Sequence, residues 1–332
     1  MLFSILTPCY NSAPFISETI GTLLNQDFDD WELILINDGS KDNTLEVISK
    51  YASQDARIKV IDQKNSGVSV SRNRGIAEAS GKWIVWLDHD DAFLPNALSE
   101  LKELVLAFPD ANCFIFPYSA KTENHQEYEC IDRVFRDFGN RSFSGPEAFE
   151  LLYSHKKYRG QHWHPWRFVY RKGSTPHFTP GVIHEDLDVM PFYVAEQKSV
   201  CIAARPFYRY TLDSPTAVTR SFSFKRVMDI CNVTQKLYQK IEQISSGESD
   251  LKLSPRVLKG FKAGLAYNLF GYFRAADTFP EPERTRALDV FAAHKEWLTA
   301  IDKPLFQSLV KRIMLRTVGV KNTVRIMRLT GQ

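Results

Sequence analysis

The side chains best placed to do chemistry are Asp88, Asp90 and Asp91, which with His89 follow directly on the apolar run Trp83-Ile84-Val85-Trp86-Leu87. Carboxylates this close together repel one another and resist desolvation, so they stay ionised only where a cation or the donors of a ligand offset the repulsion. A set of oxygen ligands suits a hard divalent ion, Mg2+ or Mn2+, rather than zinc. Carboxylates that hold a metal against a diphosphate at a strand end are what a nucleotide-dependent transferase requires.

Two more loops follow apolar runs in the same way: Thr7-Pro8-Cys9-Tyr10-Asn11 and Asn37-Asp38-Gly39-Ser40. Each has an ordinary explanation. The second reads as a turn with a helix cap to follow, Tyr10 can simply pack, and Asp90-Asp91 can begin a cap for the helix after Pro95. What favours chemistry is that all three fall at the carboxyl edge of one sheet, where open α/β sheets bind ligands. A fourth group, Asn65-Ser66-Gly67 with Arg72-Asn73-Arg74-Gly75, sets a polar loop before a helix bearing two arginines. Helix N-termini and guanidinium groups attract phosphate, and the alternative of a solvent-facing side chain suits Arg74 best. A fifth, His184-Glu185-Asp186-Leu187-Asp188, offers either a general base or a helix start whose acids favour the dipole.

The elements that must position these groups are legible as alternating short apolar runs and helical patterns from residue 1 to about 120, the mark of a mostly parallel α/β sheet flanked by helices. Strands are expected at Phe3 to Thr7, Glu32 to Ile36, Arg57 to Asp62, Lys82 to Leu87 and Phe114 to Tyr118. Helices are expected over Ser12 to Asn25, from a cap at Asn43 or Thr44 through Tyr51, and over Val68 to Ala79 and Asn96 to Leu106. Residues 120 to 220 read less regularly and carry Tyr158, Trp163, Trp166, Phe168, Tyr170 and Phe178. Aromatic planes suit sugar rings, but at this density most belong to a core. From about Phe224 the pattern is helical, with a polar break over Ser245 to Asp250. The expected division is 1–222, itself split at about residue 120, followed by an α-helical extension 223–332.

The chain has 332 residues, 44% hydrophobic and 24% charged, enough to bury a core without staples. Five scattered cysteines without a C-x-x-C pair point to a reducing cytoplasm rather than to disulfides or zinc. No secretory leader and no span of about 20 apolar residues is seen. A net charge of +3 does not imply nucleic-acid binding, yet no acidic residue follows Asp302, and seven basic residues there alternate with apolar ones. Residues 303–332 are therefore expected either to lie peripherally on an anionic membrane face or to pack on the protein with a solvated basic face.

The order and spacing of Thr7-Pro8-Cys9-Tyr10-Asn11, Asn37-Asp38-Gly39-Ser40, Asn65-Ser66-Gly67, Arg72-Asn73-Arg74-Gly75, Asp88-His89-Asp90-Asp91 and Glu185-Asp186 resemble the inverting family 2 glycosyltransferases of the GT-A fold, bacterial enzymes of surface polysaccharide and lipopolysaccharide synthesis. The likeness runs over about residues 1 to 215. It includes Trp166-Arg167-Phe168-Val169-Tyr170-Arg171, where Arg167 replaces the usual Lys, and it tolerates His89 at the variable position of Asp-x-Asp. The resemblance implies that Pro8, Tyr10, Asn11, Asp38 and Asn65 bind the nucleotide, with Asp38 accepting from a uracil N–H, and that Arg72 lies near the base or diphosphate. It further implies that Asp88 contacts ribose, that Asp90 with Asp91 ligates Mn2+ or Mg2+, and that Asp186 with Glu185 beside it is the catalytic base. The implied partners are a nucleotide-sugar donor, a UDP-sugar by family habit, and a saccharide or lipid-linked acceptor. A sugar nucleotidyltransferase would need a Gly- and Lys-rich phosphate loop that Thr7 to Asn11 lacks. A non-catalytic assembly subunit would have no need of Asp88, Asp90 and Asp186 together.

Overall fold

The computed structural model describes residues 1–122, 126–154, 162–212 and 223–300. Two compact units divide the chain: Met1–Phe149 with Gly160–Ala217, and Glu150–Arg159 with Val218–Gln332. A short stretch after Phe149 thus groups with the C-terminal helices, whereas the sequence suggested one unbroken domain to about 222.

The first unit opens as expected: β1 (Phe3–Cys9), α1 (Ile16–Leu24), β2 (Trp31–Asp38), α2 (Thr44–Gln54), β3 (Ile58–Gln63), α3 (Val68–Glu78) and β4 (Trp83–Trp86). β5 (Ala92–Phe93), α4 (Ala97–Ala107), β6 (Cys113–Ile115), β7 (Tyr118–Lys121), β8 (Glu127–Cys130), α5 (Arg133–Phe138), β9 (Arg141–Phe143) and α6 (Gly145–Phe149) follow. β10 (Phe168–Arg171), α7 (Glu185–Glu196), β11 (Val200–Ile202) and β12 (Tyr208–Thr211) complete the unit.

Eight strands form one sheet in the order β3-β2-β1-β4-β10-β6-β11-β9. β3, β2, β1 and β4 run parallel, while β10 is antiparallel to both β4 and β6. All of β2 is buried, as befits a strand covered on both faces. Its one interior acid, Glu32, is matched by Ser4 Oγ, Lys59 Nζ and the Ser80 N–H at 2.6 to 2.7 Å. A second sheet, ordered β5-β12-β7-β8, lies in the same unit. The single strand expected over Phe114 to Tyr118 is two, β6 and β7, one in each sheet: Phe116 and Pro117 separate them, and the proline has no N–H to continue a ladder.

α3 differs from the other helices of the sheet. It packs on β1 and β2 through Ser69, Ser71, Arg72 and Gly75 rather than through large apolar side chains. A Cβ at Gly75 would stand 3.1 Å from Ile36 Cδ1, so the small residues let the helix lie close to the strands and bring Arg72 to their carboxyl edge.

The second unit holds α8 (Phe224–Ser246), α9 (Pro255–Ala276), α10 (Glu283–Ala293) and α11 (Lys295–Thr299). The polar break is a helix stop at Gly247, φ +83°, followed by a restart in which Ser254 Oγ caps the Val257 N–H and Pro255 takes the first turn. The basic stretch 303–332 and Tyr158 lie outside the described residues.

Candidate active site

Three loops at the carboxyl edge of β1, β2 and β3 are tied into one surface. Asn11, at φ +50°, receives the Lys41 N–H on its Oδ1 at 2.8 Å and donates its own N–H to Ser40 Oγ at 3.0 Å. Ser40 Oγ in turn donates to Asn37 Oδ1 at 2.5 Å. Gly39, at φ +67°, passes so near the next loop that a Cβ there would stand 2.6 Å from the Asn65 nitrogen. Asp38 takes the N–H of Ser66 and Nε2 of Gln63 on Oδ1, and the N–H of Gly67 on Oδ2, each at 2.8 Å. The expected nucleobase carboxylate is thus first an organiser of the Asn65-Ser66-Gly67 loop, with acceptor capacity left on Oδ2. Tyr10 and Asn65 are exposed beside it and Pro8 is half-buried.

The Asp88-His89-Asp90-Asp91 segment separates into unlike carboxylates. Asp91 is buried, accepting from Tyr208 Oη at 2.6 Å and from the Thr211 N–H at 2.7 Å. Tyr208 Oη also accepts the Asp88 N–H at 3.0 Å, and Thr19 Oγ1 donates to the carbonyls of His89 and Asp91. Each oxygen of Asp91 thus holds a hydrogen bond to β12, and the residue ties the loop to the second sheet, which sets it apart from Asp90. Asp90 and Asp88 are half-buried with no hydrogen bond to either carboxylate among the described residues. Burial raises the Asp88 carboxyl, Arg72 opposes that and Asp90 adds to it. Burial also pushes Asp91 well up, reinforced by Asp90 and Asp88. Among the described residues no group of three or more His, Cys, Asp or Glu side chains is placed to hold a metal ion by itself.

Arg72 joins this edge to the start of α7. Its guanidinium makes a very short contact to Glu185 Oε1, and both side chains are buried. The rings of Phe178 and Trp86 flank it, with centroids 5.2 and 5.8 Å away. Asn73, one position on, pairs with the backbone of Phe178 in both directions at 2.8 and 2.9 Å, fastening the approach to α7 onto α3. Burial would weaken the Arg72 cation, but Glu185, Asp88 and Asp186 hold it protonated. Arg74 is exposed and pairs with Glu78 at 2.9 Å, so the arginine expected to face solvent does.

Glu185 and Asp186 begin α7, so the acids do sit in its first turn, yet their environments part them. Burial, only partly offset by Arg72 and reinforced by Asp186, lifts the Glu185 carboxyl to about 7. Asp186 feels burial as well, but His164 and the Leu187 N–H outweigh it and hold the carboxyl below its ordinary range. Its Oδ1 accepts the Leu187 N–H at 2.7 Å, and Oδ2 lies 3.5 Å from His164 Nδ1.

Sequence reading missed His164 and Tyr208. Trp166 is nearly fully buried, stacked on Tyr208 at 4.6 Å and Tyr210 at 5.3 Å, with His164 parallel to it at 5.5 Å. Trp166 is therefore part of an aromatic stack and not an open platform for a sugar. The period-two placing of Tyr208 and Tyr210 on a strand was the available signal. Arg167 is wholly buried, bonded to the Phe116 carbonyl and His162 Nδ1.

A mixed sheet whose parallel strands end in interlocked polar loops and carboxylates defines the GT-A architecture. It matches the crystal structure of S. aureus TarS 1-349 in complex with UDP-GlcNAc, with a TM-score of 0.71 at 17% identity, covering 100% of this chain and 93% of that one. The mannosyltransferase PcManGT from Pyrobaculum calidifontis, in complex with GDP-Man and Mn2+, gives 0.51 at 14% identity, covering 98% of this chain and 86% of that one. Residues 4–163 match glycosyl transferase family 2. The uncharacterized glycosyltransferase EpsJ of Bacillus subtilis is 35% identical over 175 residues, 52% of this chain and 48% of EpsJ. The chain thus spans about half the length of that relative.

Proposed function

We propose that this protein transfers a glycosyl group, with inversion, from a UDP-sugar to a hydroxyl of a saccharide or lipid-linked saccharide in bacterial surface polysaccharide or lipopolysaccharide synthesis. The observation that supports the reading is the buried Arg72–Glu185 pair, whose cation also feels the charges of Asp88 and Asp186. TarS, of the same fold, binds UDP-GlcNAc, and that supports the donor class. Tyr10, Pro8, Asn11 and Asn65 border the nucleobase over Asp38, and Asp88 faces the ribose. Arg72 offsets diphosphate charge.

Asp90 fits a divalent ion because its carboxylate has no protein partner among the described residues, and oxygen donors suit Mn2+ or Mg2+. Asp90 would hold such an ion, which would supply charge neutralisation to the leaving diphosphate. Asp186, held ionised, accepts the proton of the acceptor hydroxyl as that oxygen bonds to the anomeric carbon. The bond from the anomeric carbon to the diphosphate oxygen breaks, and the nucleoside diphosphate leaves from the opposite face. Glu185 holds Arg72 rather than sharing the base role.

The test is thermal stabilisation by UDP, GDP and CDP, each with and without Mn2+. Stabilisation by UDP that requires Mn2+ and is abolished in Asp90→Ala is expected; an unchanged metal response in that variant removes the Asp90 assignment. A lipid-linked acceptor would give residues 303–332 a use. Their deletion should then weaken binding to anionic liposomes at low salt, and unchanged binding disposes of that part.

A further inference from the structure

We infer that His164 is a positioning residue for Asp186, its ring fixed parallel to Trp166 so that Nδ1 holds the Asp186 carboxylate in one orientation. The inference rests on Asp186 being the base. Three observations support it. His164 Nδ1 approaches Asp186 Oδ2 at ion-pair distance, 3.5 Å, while the other oxygen is hydrogen-bonded by the Leu187 N–H, so each carboxylate oxygen has a neighbour. The imidazole is parallel to the indole of Trp166 within 3°, and Trp166 is stacked on Tyr208, whose hydroxyl bonds Asp91 and the Asp88 N–H. A continuous chain of stacked rings therefore links the base to the loop that carries Asp90. Finally, His164 stands out among the influences that hold Asp186 ionised.

A carboxylate with one oxygen on a backbone N–H could still swing its second oxygen between rotamers, and a base that swings loses reach to the acceptor hydroxyl. The stacked imidazole removes that freedom: pinned by Trp166, it offers a donor in a fixed place. The charged groups around the pair are His184 and Glu185 on α7, Arg72 from α3 and Asp88 after β4. Arg72 is paired with Glu185, and the His164 nitrogen approaches Oδ2 at 3.5 Å.

Two variants separate hydrogen bonding from stacking. His164→Phe keeps an aromatic ring for Trp166 and removes the donor, whereas His164→Gln keeps a donor and removes the ring. The full chain with Mn2+ would be assayed for donor hydrolysis, using whichever of UDP-glucose, UDP-galactose and their N-acetyl forms the unmodified protein cleaves, and for UDP binding. His164→Phe should lower kcat at least tenfold with the donor KM and UDP affinity within twofold, and should move the acid limb of the kcat profile to higher pH. His164→Gln should recover part of kcat. A merely structural role would change KM or UDP binding and leave the acid limb in place.

A second readout needs no turnover. The imidazole nitrogens of His164 in 15N-labelled protein should report a proton on Nδ1, and Asp186→Ala should shift that signal while UDP binding persists. A His164→Phe protein with unaltered kcat and pH profile, or an imidazole signal indifferent to Asp186→Ala, overturns the inference. Full turnover by Asp186→Asn overturns the base assignment instead, so the two failures are distinguishable.

Discussion

The two halves of the site solve the same problem, polar groups at a sheet edge, in opposite ways. Around Asn11, Asp38 and Ser40 the loops satisfy one another: Asp38 alone takes three donors at 2.8 Å, and the surface exists without a ligand. Around Asp88, Asp90, Arg72, Glu185 and Asp186 the groups are charges that perturb one another, and burial pushes Asp88 and Glu185 up. Under the proposed function, the first half recognises and the second reacts. A recognition surface gains from preorganisation, since the ordering cost is met during folding. A reacting edge needs charges whose balance a substrate can alter, and so it tolerates strain that a binding loop does not.

Breaking the charged half should have the largest effect. Arg72→Met leaves Glu185 buried beside Asp186 without its cation, and a buried pair broken on one side costs about 3–5 kcal/mol. Urea unfolding at pH 8 measures it. The double variant Arg72→Met/Glu185→Leu should recover much of that stability, because apolar groups of similar size replace the pair, yet should not recover UDP binding. A double variant as unstable as the single would show that the pair is not the reason. Next comes Asp186→Asn, which should lose on the order of a hundredfold in transfer as a general base removed, with UDP and Mn2+ binding near normal. Retained activity places the base elsewhere.

How far the sequence carries this comparison depends on which interactions are local. β1, β2 and β4 were legible because burial on both faces leaves continuous apolar runs, and edge strand β3 because its apolar residues fall between turn residues. The Asp88 to Asp91 and Glu185-Asp186 groups stand out in the sequence as acidic clusters beside apolar runs. What could not be read was how they divide. Asp90 and Asp91 are neighbours of one type, and only the fold, through Tyr208 and the Thr211 N–H some 120 positions away in the chain, makes one a tie and leaves the other open. The same holds for Glu185 and Asp186, parted by Arg72 from α3 and His164 from the segment before β10. Trp166 is core, as its aromatic neighbourhood in the sequence suggests, but its partners in the stack come from β12 and could not be named from the chain.

The division between Asp90 and Asp91 gives a sharper test of moderate size. Asp91→Asn keeps one acceptor oxygen and loses the other, so either Tyr208 Oη or the Thr211 N–H goes unmatched, at about 1–3 kcal/mol for a buried group left without its partner. Thermal unfolding should show that loss while the Mn2+ dependence of UDP binding survives. If instead Asp91→Asn abolishes the metal response with no loss of stability, the structural assignment of Asp91 is reversed.

A further effect expected is a pH dependence, and its sign follows from Glu185. Burial lifts its carboxyl in the folded protein to about 7 from an ordinary 4.5. As pH rises between those values the unfolded chain gives up a proton that the folded protein keeps, so this group lowers stability through that window and adds no further slope above it. Asp186 acts oppositely, its stabilising share being lost only as pH falls below the ordinary carboxylate range, so the two windows do not overlap. Asp88 and Asp91, also raised, contribute with the sign of Glu185 and remain in both proteins when the native chain is compared with Glu185→Gln. The native chain should therefore lose more stability than Glu185→Gln between pH 5 and pH 7.5, read as the difference in Tm at the two values. Parallel curves would mean that Arg72 keeps Glu185 ionised throughout, and the reacting edge would then be as fully matched as the loops around Asp38.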